Sequence, residues 1–198
     1  MINLAIFIDG GYLNNLVYRE YQTRLDMGKV ISRIKAVVGD REKDKVDLFQ
    51  AFYYDSMPFS GLLPTESDLK AAENKKRFVI ALENLPDCTV RLGKTSYRGY
   101  DQQGKDKYQQ KRTDILLGLD IAQVVLKRQT SHIALVSGDD DYVPLIEFAK
   151  ANRVKTWLFH GSVRSRFAAC SRELLNAADE SCEIDEYFIK RIRHYQKE

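Results

Sequence analysis

Apolar residues along this chain keep returning to two rhythms, a short continuous run and a helical stripe. Leu4-Ala5-Ile6-Phe7-Ile8 is the first run. Runs without polar interruption mark central parallel strands, buried on both faces. This one stops at Asp9-Gly10-Gly11, and Tyr12, Leu13, Leu16, Val17 and Tyr21 then recur at helical spacing. The pattern repeats from His132 to Val136, where the run ends in Ser137-Gly138 and three acids follow: Asp139, Asp140 and Asp141. Pro144 suits the first turn of a helix, where a missing N–H is harmless, and Leu145, Ile146, Phe148 and Ala149 give that helix an apolar face. Both units read as strand, acidic turn, helix.

The remaining segments alternate in the same way. Val30, Ile31, Ile34, Val37 and Val38 form one stripe, with Gly39 as a plausible stop. Val46 to Tyr54 is β-rich, with Asp55 at its end. Ser56 to Glu66, containing Pro58, Gly61 and Pro64, reads as an exposed loop or lid. Ser67 or Asp68 can cap a helix to about Leu85, with Leu69, Ala72, Val79 and Leu82 inward. Thr89 to Gly99 reads as a strand, and Tyr100 to Arg112 as a polar, basic loop or hairpin. Asp114 to Leu126 is apolar nearly all round, which predicts a buried helix. Val154 to His160 is another strand, Arg164 to Ala178 an amphipathic segment with Phe167, Leu174 and Leu175 inward, and Cys182 to Ile184 a short last strand. Tyr187 to Tyr195 closes the chain as a helix with a basic end. This order predicts an α/β fold, a Rossmann-like central parallel sheet with helices on both faces. Residues 1–198 form a single domain in this reading, with 185–198 as a C-terminal helix and basic tail.

Composition narrows the function classes only a little. Lys plus Arg number 31 and Asp plus Glu 28, so the balance is +3, which neither demands nor excludes a nucleic-acid partner. Cys88, Cys170 and Cys182 are too few and too scattered for a disulfide framework, and no C-x-x-C pair offers a zinc site. Three unpaired thiols suit a reducing cytoplasm. The first residues read as a strand rather than a signal peptide. No segment approaches the ~20 apolar residues that span a bilayer, so no membrane association is expected.

The candidate chemistry lies in the acids. Asp9 follows the first strand, Asp114 opens the apolar helix, and Asp139, Asp140 and Asp141 follow a later strand. In a parallel sheet these ends meet at a switch point on the carboxyl edge. Converging carboxylates repel and raise one another's pKa unless a cation joins them. Oxygen ligands without His or Cys suit Mg²⁺ or Mn²⁺, which serve phosphate chemistry. Each acid also has a plainer reading. Asp9 and Asp114 can be caps, one of the three adjacent acids can cap a helix, and Asn14 can face solvent. Asp120, six residues after Asp114, does not share its helix face, and a salt bridge accounts for it well. Gly10-Gly11 fits no phosphate-loop pattern, and His132, His160 and His194 show no ligand spacing. The basic residues around 105–112 read more simply as solvated surface.

Three stretches together resemble a known family: Phe7-Ile8-Asp9-Gly10-Gly11-Tyr12-Leu13, then Lys111-Arg112-Thr113-Asp114 through Asp120, then Leu135 through Ile146. In this order and spacing they look like the NYN domain, and more narrowly its LabA-like branch within the PIN-like nuclease superfamily. The resemblance implies a PIN-like fold and an Asp cluster that binds Mg²⁺ or Mn²⁺ and cleaves RNA. By motif position it implies catalytic and metal-binding roles for Asp9, Asp114, Asp139 and Asp141, with Asp120, Asn14 and Asp140 as further candidates. Many relatives carry Asn three residues after the first Asp, whereas this chain has Tyr12. Lys111, Arg112, Arg164 and Arg166 are candidates for steering an RNA backbone, with Tyr97, Tyr100 or Tyr108 as stacking faces. The expected function is thus a cytoplasmic, metal-dependent ribonuclease acting on single-stranded RNA. Two alternatives use the same cleft: a non-catalytic RNA-binding module and a phosphohydrolase of small molecules. The resemblance allows a homodimer, which the residues leave undecided.

Overall fold

Leu4 to Ile8 became the middle of the molecule because nothing polar interrupts them: all five side chains are buried. They belong to β1 (Ile2–Asp9) of a computed structural model that describes residues 1–58, 64–100 and 106–194. Six further strands join it: β2 (Val46–Ser56), β3 (Cys88–Tyr100), β4 (Asp106–Lys111), β5 (His132–Val136), β6 (Lys155–His160) and β7 (Glu180–Glu183). Their order in the sheet is β4-β3-β2-β1-β5-β6-β7. All neighbours pair parallel except β3 and β4, which form an antiparallel ribbon. The chain leaves β1 toward β2 on one side and returns to β5 on the other. The switch point therefore lies between β1 and β5, where the expected acids end their strands.

Alternate residues of β1 face opposite layers. Leu4, Ile6 and Ile8 pack under α1 (Gly10–Asn14), a π-helical turn (Asn15–Glu20), α2 (Met27–Glu42), α3 (Glu66–Glu83) and α7 (Glu186–Ile192). Ala5 and Phe7 pack under α4 (Thr113–Leu126), α5 (Val143–Ala151) and α6 (Arg172–Ala177). This is one α/β domain with helices on both faces, as the alternation implied. Among the described residues no helix is long and apolar enough to cross a membrane.

Four expectations fail locally, each for a physical reason. The amphipathic segment expected from Arg164 to Ala178 is helical only over Arg172–Ala177. Upstream, the Ser165 hydroxyl accepts from the Phe167 and Ala168 N–H groups, a local bond that competes with helix, and Phe167 is exposed. Helix α4 is not buried all round, because it is an outer layer with nothing over it among the described residues: Ile115, Leu119 and Leu126 face outward. In α3 the cap is Thr65 in a capping box with Asp68, and Leu69 in its first turn is exposed. Gly39 does not stop α2, which runs on to Glu42 and ends at Lys43 in the left-handed region (φ 54°). Residues 59–63 of the expected lid, residues 101–105 of the basic hairpin and Tyr195 of the closing helix lie outside the described residues.

Candidate metal centre at the carboxyl edge

Asp9 ends β1 and caps α1. One carboxylate oxygen accepts from the Tyr12 N–H at 3.0 Å, and the other lies 3.4 Å from the Ser137 hydroxyl, just past the end of β5. Burial pushes the Asp9 carboxyl up from its ordinary 3.8 to about 6, helped by repulsion from Asp114 and Asp139 and opposed by the N–H groups of Tyr12 and Gly11. Gly10 beside it has a steric reason to be glycine. A Cβ there would lie 2.5 Å from the Tyr53 hydroxyl and 2.6 Å from the Tyr54 carbonyl.

Asp114 stands in the first turn of α4, after Arg112 has turned the chain through the left-handed region (φ 76°). The Tyr142 hydroxyl donates to it at 2.8 Å. Asp139 caps the short 3-10 turn Asp140–Tyr142, accepting from the Asp141 N–H at 3.0 Å. Its carboxyl is raised by burial and by the repulsion of Asp141, Asp140 and Asp114. The Tyr142 phenol is also raised, by burial and then by Asp9, Asp114 and Asp139. So Tyr142 lies among three acids contributed by three different elements. Only its place in the turn after Asp139 hinted at this in the sequence.

Carboxylate oxygens of Asp139, Asp140 and Asp141 lie within 4.8 Å of one another on an exposed turn. Asp9, Asp114 and Asp139 interact electrostatically without closing to that distance as a trio. An all-oxygen set of acids that repel one another fits a hard divalent cation.

Asp120 sits apart from this group. It pairs with Arg91 (2.9 Å to Nε) and accepts from the Tyr54 hydroxyl at 2.9 Å, which is the salt-bridge reading. Asn14 does not face solvent either. Its amide donates to Asp55 at 3.2 Å and to the Tyr53 hydroxyl at 3.3 Å. Asp55 is only 3% exposed, pairs with Lys75 of α3, and also accepts from Tyr53 (2.9 Å) and the Ser56 N–H (2.7 Å). This saturated knot at the end of β2 escaped the sequence reading. Tyr53 and Asp55 share a strand face and could have been paired, but Lys75 joins through tertiary packing alone.

Tyr12 takes a structural post. Its hydroxyl accepts from the Gly161 N–H at 2.8 Å and donates to the Ala168 carbonyl at 3.0 Å. It thereby pins the loop 161–171, which carries the exposed Arg164 and Arg166, against the acidic turn. Gly138 permits the approach, since a Cβ there would collide with the Ala169 carbonyl and the Tyr12 ring. Lys111 and Arg112 are exposed where β4 leads into α4, and Tyr108 is half exposed on the ribbon. His160 is buried with Nδ1 2.7 Å from the Gly161 carbonyl, a structural histidine.

A doubly wound parallel sheet with acids gathered at its switch point defines a class of α/β proteins that act at the carboxyl edge. The NYN domain model matches residues 3–185, so the chain belongs to the NYN domain family, and through it to the PIN-like nuclease superfamily. Among solved structures it is similar to a Vibrio parahaemolyticus protein of unknown function, with 17% identity and a TM-score of 0.58 over 93% of this chain and 94% of that one. That likeness bears on the fold alone. A comparison with curated proteins found no match.

Proposed function

We propose that this protein is a metal-dependent ribonuclease of the LabA-like branch, hydrolysing phosphodiester bonds of single-stranded RNA in the cytoplasm. The observation that carries the proposal is the gathering of acids from separate elements at the switch point: Asp9 at the end of β1, Asp114 in the first turn of α4, and Asp139, Asp140 and Asp141 after β5 with oxygens within 4.8 Å of one another. Asp9, Asp114, Asp139 and Asp141 are the residues assigned to hold Mg²⁺ or Mn²⁺, with the neighbouring Asp140 available to the same ion. The ion, when bound, supplies Lewis acidity to a water and to the scissile phosphate. The protein's own groups do the rest. Ser137 and the Tyr12 N–H orient Asp9, and Tyr142 orients Asp114. Asp141, exposed at the lip of the site, accepts the proton of the attacking water. Lys111, Arg112, Arg164 and Arg166, all exposed, steer the RNA backbone. Cys88, Cys170 and Cys182 are unpaired, which supports the cytoplasmic assignment.

The test is a gel assay with end-labelled single-stranded RNA and Mn²⁺, Mg²⁺ or EDTA, run beside Asp139→Asn. Cleavage that needs the metal and disappears in the variant is the expected result. Salt-sensitive binding without cleavage in any metal would overturn hydrolysis and leave a binding module. Turnover of a small phosphate ester with intact RNA would assign the site to small molecules.

A further inference from the structure

The β3–β4 ribbon has features that the core does not explain. The last parallel pairing of β3 with β2 is Gly93 against Ser56. From Lys94 onward β3 pairs with β4, from Lys94 opposite Lys111 to Tyr100 opposite Asp106. At a rise of about 3.3 Å per residue, Tyr97 stands about 13 Å beyond the carboxyl edge of the parallel sheet. Two strands alone are marginal in water.

Three tyrosines cluster on the projection. Tyr97 and Tyr108 are directly opposite each other, with ring centroids 5.8 Å apart, and Tyr100 meets Tyr97 edge-on at 6.2 Å. They are 40%, 46% and 71% exposed, in the order Tyr97, Tyr108, Tyr100. Side chains alternate along a strand, so the side they occupy follows from their neighbours. Arg91 reaches Asp120 of α4, and Gly93 packs on Thr113 at the start of α4. Tyr97 continues that odd-numbered face, and Tyr108 shares it. The aromatic cluster therefore overhangs the side of the sheet on which α4 begins with Asp114. Lys94, Arg98 and Lys111 alternate onto the opposite side of the ribbon, where Arg98 donates to Gln109, and Arg112 follows where the ribbon leads into α4.

We infer that this ribbon is a base-stacking arm that captures unpaired bases of single-stranded RNA and feeds the backbone past Arg112 toward Asp114. The inference rests on the ribonuclease reading for its substrate, and it adds what grips the substrate. Exposed aromatic faces hold unpaired bases whatever their sequence, because every base has a π-face. Bases in a duplex are already stacked on one another and cannot take this position.

The experiment is fluorescence anisotropy of a labelled single-stranded RNA oligomer with the full chain in EDTA, so that hydrolysis plays no part. Stacking is worth about 1–3 kcal/mol per base, so a Tyr97→Ala/Tyr108→Ala pair is expected to weaken binding roughly tenfold or more. Tyr97→Phe/Tyr108→Phe, which keeps both rings, retains the affinity. An abasic oligomer of equal length binds wild type and the alanine pair alike. Ultraviolet cross-linking of the wild-type protein to RNA, which needs no variant to fold, places the adduct within residues 94–100 or 108–112. Undiminished RNA binding by a folded alanine pair, an equal loss on the abasic oligomer, or adducts confined to other segments would overturn the arm. The two readings fail separately. Tyrosine-dependent binding without cleavage removes the hydrolysis and keeps the arm, whereas cleavage with tyrosine-independent binding removes only the arm.

Discussion

Replacing Asp9 by Asn should disable the metal centre and at the same time stabilise the metal-free protein. The asparagine oxygen can still accept from the Tyr12 N–H, and its amide can donate to the Ser137 hydroxyl, so the cap survives. What disappears is a charge that is unfavourable where it stands. A rise in the Asp9 carboxyl from 3.8 to about 6 corresponds to about 3 kcal/mol at 1.36 kcal/mol per tenfold change in proton affinity. The folded state binds this proton more tightly than the unfolded chain does. Its contribution to stability is therefore complete below pH 3.8 and is lost as pH rises to about 6. Above that the wild-type protein carries the full penalty and the variant carries none. In EDTA at pH 7, Asp9→Asn should be more stable by up to about 3 kcal/mol, which for a chain of this length is roughly 6–12 °C in Tm. The difference should vanish near pH 4. Saturating Mn²⁺ should raise the wild-type Tm and leave the variant unmoved. Urea melts of both proteins across pH 4–8 measure this directly. Parallel pH profiles, or a variant less stable than wild type at pH 7 in EDTA, would refute the argument that Asp9 is held at a cost.

Other substitutions separate the acids from their neighbours. Asp120→Asn keeps an acceptor for Tyr54 and frees an Arg91 that is already part-exposed, so a loss under about 1 kcal/mol and undiminished RNA cleavage are expected; loss of cleavage in a folded variant would return Asp120 to the site. Lys75→Met leaves the buried Asp55 without its counter-charge and should cost about 3–5 kcal/mol in a urea melt, and a cost below about 1 kcal/mol would mean that Tyr53, Asn14 and Ser56 suffice to hold the charge. Tyr12→Phe removes both bonds that pin the 161–171 loop, so faster amide exchange there and a loss of about 1–3 kcal/mol should appear together; unchanged exchange would show that packing alone fixes the loop.

Much of this molecule was legible in one dimension because its signals are local. Leu4 to Ile8 and His132 to Val136 declare buried parallel strands by composition alone, and the acids that end them mark the carboxyl edge before any coordinates are seen. Asp9 and Asp139 as caps follow from their places just before helical turns. What the sequence left open depended on neighbours far along the chain. Ile115, Leu119 and Leu126 look like core until it is clear that α4 has a sheet on one side and leaves the other side exposed among the described residues. Asp120 and Asp114 lie on one helix, yet only the partners brought by β2, β3 and the turn after Asp139 tell an ion pair from a repelled acid. Tyr12, Tyr142 and Lys75 have no motif around them, and their roles exist only because Gly161, Asp114 and Asp55 come within bonding distance. Secondary structure follows from periodicity and caps, which a short stretch of chain carries by itself. The electrostatics of a site are set by groups converging from separate elements, and that convergence is decided only when the sheet is assembled.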